Sequence, residues 1–254
     1  MKVLITHYSP LKERRIHIER LLDKLNYHGH FITEFDREYL DEFIGKYIFN
    51  SNQWKTEYKL IKKVLIKNIS NVEKKESLKF KLYWDLVKLL QKISTPKCFR
   101  PRKLTSSEIS LTLKHHKALK EIERSKEPGL IMEDDIILKQ ESKLLIENAF
   151  LLCKNEFDYV DLGGGCDLPL FKEDEQLKNN NRFIKLKIPR SRTTAAYMIN
   201  PRCAKVLSEG LFPLSMPIDW KYQYLFLKND IKVLWSNPSA FIHGSQGIFK
   251  TSIE

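Results

Sequence analysis

The stretch Leu130-Ile131-Met132-Glu133-Asp134-Asp135-Ile136-Ile137-Leu138 places three consecutive acids between two apolar runs. Leu130-Ile131-Met132 follows the punctuation of Pro128-Gly129 and reads as a short buried strand. Carboxylates inside such a strand carry a heavy desolvation cost unless they are paired. At its carboxyl end they face the crevice where open α/β sheets bind ligands. Alternation along the chain sends Glu133 and Asp135 to one side and Asp134 to the other. Oxygen ligands so arranged suit a hard divalent cation, which can in turn bridge to a diphosphate. A solvated acidic turn has the same composition, so the triplet needs context.

The surrounding pattern supplies a frame. Thr105-x-x-Glu108 has the form of a capping box and opens a helix to about Ile122, with Leu111, His115, Ala118 and Ile122 on one face. Val3-Leu4-Ile5 reads as a first strand, followed by a helix over Leu11–Leu25 with Ile18, Leu21, Leu22 and Leu25 together. Beyond the acids, Glu141–Cys153 is helical and Tyr159–Leu162 is a strand ending in Gly163-Gly164-Gly165. Residues 166–182 are polar and expected as a loop. Phe183–Ile188 and Ala195–Ile199 are strands, and Asn200-Pro201 is a cap with proline at the first helical position. Pro217–Lys228 is helical, and Ile231–Trp235 and Ala240–Ile242 are late strands. Strands alternating with helices predict an α/β fold with a mostly parallel central sheet covered on both faces.

The segment from about 40 to 103 has a different character. It is Lys-rich, with Leu82, Leu86, Leu89 and Ile93 at helical spacing, and is expected as a basic helical insertion in one domain rather than a second domain. Of the formal charge of +12, an excess of eleven lies between Trp54 and Lys103, where fifteen Lys/Arg face four Asp/Glu. That concentration fits a solvated helical face. It equally fits an anionic partner: a lipid surface, a phosphorylated glycan or nucleic acid. The sequence contains no apolar run of about 18 residues, and Met1-Lys2-Val3-Leu4-Ile5 is too short for a signal peptide. Cys98, Cys153, Cys166 and Cys203 form no Cys-x-x-Cys pair, so a reducing cytoplasm is the expected compartment.

Several blocks in fixed order resemble glycosyltransferase family 25, the lipooligosaccharide and collagen-type galactosyltransferase relatives. Leu104 to Leu119, with Glu108 and His115, followed by Met132-Glu133-Asp134-Asp135, is similar to the family's Glu…Ser-His…Leu-Glu-Asp-Asp pattern. Glu13-Arg14-Arg15 matches its Arg-Arg after the first strand. Thr194-Ala195-Ala196-Tyr197 looks like its Thr-x-Ala-Tyr block, and Pro217-Ile218-Asp219 like its late Pro-x-Asp. The chain departs from the pattern at Thr6-His7 and Ser9-Pro10 in the first loop, at Lys114 in place of serine, and at Ser110 in place of glycine.

The resemblance implies a single GT-A-type, Rossmann-like domain. It also implies Mn2+ or Mg2+ dependence, a UDP-sugar donor (often UDP-galactose), a glycan or glycolipid acceptor, and inversion at the anomeric carbon. On that reading Asp135, Glu133 and the strand-end His243 are the metal ligands. Glu133, Asp134, Arg14, Arg15 and Thr6 belong to the nucleotide side, and Asp219, Glu108 and His115 to catalysis. Each has an alternative role: Asp219 as a helix cap, Glu108 as the capping-box acid, His115 and His243 as core histidines. Asp161, before the glycines, is expected near the acceptor. Two further functions are open to the sequence: a nucleic-acid-binding protein or metal-dependent nuclease, and an inactive transferase-fold interaction module. Peripheral contact with the cytoplasmic face of a membrane through 54–103 is a further expectation.

Overall fold

The computed structural model describes residues 1–40, 50–66, 102–164, 168, 170–244 and 249. Its strands are β1 (Lys2–Thr6), β2 (His30–Ile32), β3 (Gly129–Glu133), β4 (Ile136–Leu138), β5 (Tyr159–Asp161), β6 (Glu175–Leu177), β7 (Asn180–Lys185), β8 (Ala196–Ile199), β9 (Val233–Ser236) and β10 (Phe241–His243). Its α-helices are α1 (Lys12–Leu25), α2 (Ser51–Ile61), α3 (Ser106–Glu123), α4 (Ser142–Asn155), α5 (Pro201–Gly210) and α6 (Ile218–Asn229).

Eight strands form one sheet in the order β2-β1-β3-β8-β5-β9-β7-β6. β1 pairs in parallel with β2 and β3, and β5 with β9. β8 runs antiparallel to both β3 and β5, and β7 antiparallel to β9 and β6. Six strands therefore point one way and β7 and β8 the other, so the sheet is mostly parallel in strand direction. β6 and β7 form a hairpin that begins within the stretch expected as a loop; the polar residues of β6 lie on the outer edge of the sheet, open to water. β4 and β10 make a separate two-stranded ribbon.

Side chains leave alternate faces of the sheet, and helices cover both. Val3, Ile5, Leu130, Met132 and Val160 pack with Ile18, Leu22, Leu145 and Ala149 of α1 and α4. Leu4, Ile131, Tyr159 and Ile199 pack with Ala118, Leu119, Leu207, Leu225 and Phe226 of α3, α5 and α6. Ile131 has no exposed surface, and truncating such a side chain to alanine costs about 2–5 kcal/mol.

The helix starts follow the sequence signals. The Thr105 hydroxyl accepts the Glu108 N–H at 3.2 Å while the Glu108 carboxylate accepts the Thr105 N–H at 2.8 Å, completing the capping box. Asn200 caps α5 by accepting the Cys203 N–H at 2.8 Å, with Pro201 behind it. Within the 40–103 segment, α2 is docked on the core: Trp54 and Ile61 pack with Met216, and Glu57 meets Lys221 of α6 at 2.6 Å. The expected helix carrying Leu82, Leu86, Leu89 and Ile93 lies outside the described residues, as do Cys98 and Cys166.

Candidate active site

β3 delivers Glu133 to the edge of the sheet, where its N–H bonds the Ala195 carbonyl at 2.8 Å, and the chain turns at Asp134-Asp135 into β4. β10 pairs antiparallel with β4, which sets His243 opposite Ile136. Gly244 N–H then bonds the Asp135 carbonyl at 2.6 Å. A Cβ at Gly244 would collide with that carbonyl, so this approach requires glycine. One ligand atom each from Glu133, Asp135 and His243 lie within 4.8 Å of one another. His243 Nδ1 is 3.5 Å from Asp135 Oδ2, and its Nε2 is 3.9 Å from Glu133 Oε2.

The three acids have different surroundings. Asp134 accepts His7 Nδ1 at 2.8 Å, Arg14 Nη1 at 2.8 Å and the Tyr8 N–H at 3.0 Å. Burial opposes its ionisation, yet these donors hold the carboxyl below its ordinary value. Glu133 accepts the Thr194 hydroxyl at 2.7 Å and faces His115 Nε2 at 3.6 Å. Here too burial is outweighed, by His115, His243 and Thr194, and the carboxyl is lowered. Asp135 is the exception. Burial and then the charge of Glu133 push it up to about 6, with Arg14 Nη1 3.5 Å from Oδ2 giving partial relief. Its Oδ1 is buried without a hydrogen-bond partner. A carboxylate that keeps one oxygen unpartnered and is grouped with two further ligand residues suits a divalent cation.

A cleft of about 650 Å³, open to solvent, spreads from the acids over the end of β1. Thr6, Arg14, Glu133, Asp134, Asp135 and His243 line it. Arg15 does not: it pairs with Glu19 at 2.9 Å and lies 4.4 Å over the Phe31 ring, one position round the helix from the buried Arg14. Glu108 is engaged in the capping box and by two bonds from Arg102, at 2.6 and 2.7 Å. Asp219 sits in the first turn of α6, half-buried, with Oδ1 accepting the Trp220 N–H at 2.9 Å. Burial, then the charges of Glu133 and Glu108, push it up to about 6 against that N–H. His115 is fully buried behind Glu133 rather than on the cleft surface. Asp161 is fully buried, pairs with Arg192 at 2.8 Å and accepts the Gly164 N–H at 3.3 Å, so it anchors the loop before β8.

Of the other cleft residues, His7 and Lys114 stand out in the sequence only as departures from the family pattern, and Arg37 not at all. His7 is the partner of Asp134, and its position directly after the first strand was the available signal. Lys114, which departs from the family serine, is buried against the cleft and bonds both the His7 carbonyl and Asp36. Burial lowers its ammonium despite Asp36. Arg37 lies 4.8 Å over the Tyr8 ring at the same rim.

The sequence profile of glycosyltransferase family 25, described as LPS biosynthesis proteins, matches residues 2–221. That span holds Glu133, Asp135 and Asp219 but ends before His243, whose place beside the acids comes from the β4–β10 pairing. No curated protein sequence matches the chain. Among solved structures, a protein of Desulfovibrio desulfuricans assigned as a nucleotide-diphospho-sugar transferase is similar at 10% identity and a TM-score of 0.31, over 92% of this chain and 80% of that one. No described helix is long and apolar enough to cross a membrane.

Proposed function

The chain belongs to glycosyltransferase family 25, and we propose that it moves a hexose from a UDP-sugar onto a lipooligosaccharide or related cell-surface glycan, with inversion, in one GT-A-type domain. The observation that carries this reading is the grouping of ligand atoms of Glu133, Asp135 and His243 within 4.8 Å of one another at the carboxyl end of β3, with Asp135 Oδ1 buried and unpartnered. The two carboxylates fit Mn2+ or Mg2+, hard ions that take oxygen ligands, and of the two Mn2+ is the better match to the imidazole of His243. When bound there, such an ion supplies charge neutralisation to the departing nucleoside diphosphate.

The rest of the work falls to the chain itself. Asp134 ties the first loop to the acidic turn through His7, Tyr8 N–H and Arg14, which fixes the wall against which the donor lies. Arg14, buried and 3.5 Å from Asp135, brings fixed positive charge to the phosphate side of the cleft. Asp219 takes the proton from the acceptor hydroxyl as the new C–O bond forms and the bond to the diphosphate breaks. Its carboxyl, raised to about 6, suits a base working near neutrality.

The test is hydrolysis of a panel of UDP-sugars, and their transfer to lipooligosaccharide acceptors, with and without Mn2+. Activity that needs the metal and disappears in Asp135→Ala supports the reading. Inertness toward every donor, with or without metal, removes it.

A further inference from the structure

Behind Glu133 a chain of buried polar groups runs along one face of the sheet from α3 to α6. His115 Nδ1 lies 2.9 Å from the Tyr197 hydroxyl, and that hydroxyl lies 2.9 Å from the Tyr222 hydroxyl. All three side chains have zero exposed surface. Tyr197 is stacked between His115, at 5.8 Å, and Tyr159, at 4.9 Å, which fixes its ring. At the other end His115 Nε2 faces Glu133 Oε1 at 3.6 Å and has no hydrogen-bond partner.

The protons in this chain can be placed by counting acceptors. Burial pushes both phenols up, so each hydroxyl keeps its single proton. Tyr222 has no second partner among the described residues, so its proton has one destination, the Tyr197 oxygen. Tyr197 must then donate to His115 Nδ1, which is left as an acceptor. The ring proton sits on Nε2 and points at the Glu133 carboxylate. The reverse direction strands the Tyr222 proton in the core, and with a neutral ring it also sets an imidazole lone pair against a carboxylate, both costly.

We propose that Tyr197 and Tyr222 are positioning residues that hold His115 with Nδ1 as acceptor and Nε2–H aimed at Glu133, so that one relay joins the acidic cluster to the helix bearing Asp219. Tyr222 lies three residues after Asp219, on the next turn of α6, so a shift of that helix also moves the end of the relay. His115 is thereby a support for Glu133 and does not exchange protons with substrate. The tautomer stands on geometry alone; its effect on metal affinity rests on the metal reading given above.

Long-range 1H–15N spectra of the histidine-labelled, metal-free protein read the tautomer directly. The expected result is a proton on His115 Nε2 and a bare Nδ1 in the wild type, turning into a tautomer mixture in Tyr197→Phe. Mn2+ binding, followed by the electron paramagnetic resonance of the free ion, gives the second readout. Tyr197→Phe and His115→Leu should each weaken it by about tenfold or more, the scale found for residues that orient metal ligands. His115→Gln, which can present an N–H where Nε2 stood, should restore binding to within about threefold of wild type. A ring protonated at Nδ1 or at both nitrogens overturns the proposal. So does a Tyr197→Phe protein that melts like wild type and keeps the Nε2–H tautomer unchanged. If the wild type shows the stated tautomer but fails to bind Mn2+, the relay stands and the metal reading falls.

Discussion

Asp134 and Asp135 are adjacent in the chain and equally buried, at 5% exposure, yet their carboxyls are displaced in opposite directions. Asp134 is surrounded by donors and Asp135 by another carboxylate. The turn after β3 sends one acid back toward β1 and α1 as a tie and the other forward into the cleft beside Glu133 and His243. One acid supports the site, and the other carries an unfavourable charge that His243 and Arg14 relieve only in part.

This contrast predicts opposite stability effects from the same conservative change. In the metal-free protein at pH 7.5, Asp135→Asn removes repulsion against Glu133. A carboxyl moved from 3.8 to about 6 corresponds to roughly 3 kcal/mol at most, so a gain of about 1–3 kcal/mol is expected. Asp134→Asn leaves Arg14 buried with weakened pairing and should cost about 3 kcal/mol. Urea unfolding in EDTA measures both. Equal signs for the two variants would disprove the assigned division of labour.

The pH dependence follows from the same directions. The raised carboxyl of Asp135 costs the folded state nothing below its unfolded value of 3.8, and the full penalty is reached above about pH 6. The advantage of Asp135→Asn should therefore vanish near pH 4 and grow between pH 4 and 6. Asp134, held low, contributes stability at neutral pH that is lost as acid protonates it below its unfolded value. Mn2+ affinity should fall as pH drops through about 6, because a protonated Asp135 is a poor ligand. Melting curves and metal titrations from pH 4 to 8 check each part.

Much of this was legible in the chain. The apolar run into Glu133 gave β3 and its acids, Thr105-x-x-Glu108 gave the start of α3, and Asn200-Pro201 gave α5, because each is a local rule satisfied by neighbouring residues. The insertion of antiparallel β8 between β3 and β5 left no local trace: Ala196–Ile199 is apolar throughout, and a strand buried on both faces reads the same in either direction. His243 was a named candidate, but its partner strand β4 lies more than a hundred residues earlier, and no spacing rule spans that distance. The role of His7 was hidden for the same reason.

α2 is fixed to α6 by Glu57 and Lys221, 2.6 Å apart and both about 1% exposed, with Ser215 bonded to both. Burial lowers the Lys221 ammonium, while Glu57 opposes that shift. Lys221→Met should cost about 3 kcal/mol because it leaves Glu57 charged in the core. The pair of changes Glu57→Leu and Lys221→Met should recover most of that loss. Denaturant unfolding of the two proteins makes the test, and a harmless single change would mean that α2 is not held by this pair.

The positive charge between Trp54 and Lys103 lies largely outside the described residues and has its own prediction. If it meets a lipid surface, the protein should co-sediment with phosphatidylglycerol vesicles at low salt. It should release as the ionic strength passes about 0.3 M, where screening shortens to a few ångströms. Failure to bind at any salt removes the membrane assignment without touching the cleft.

On the proposed reading, Asp219 separates donor binding from transfer. Its carboxyl stands on α6, outside the residues that line the acid-bearing cleft, on what is then the acceptor side, and is near enough to Glu133 to feel its charge. Removing its charge in Asp219→Asn should leave Mn2+ and UDP affinity within about threefold of wild type while kcat falls by at least 100-fold, the usual scale for a lost general base. In the wild type, kcat should rise with pH through about 6 as the carboxyl ionises, and the residual activity of the variant should lack that limb. Because Asp135 is displaced to the same region, the profile must be taken at saturating Mn2+, where its protonation no longer competes. Parallel loss of UDP binding and transfer in Asp219→Asn would reassign Asp219 to the donor side, and the base would have to be sought elsewhere on the rim.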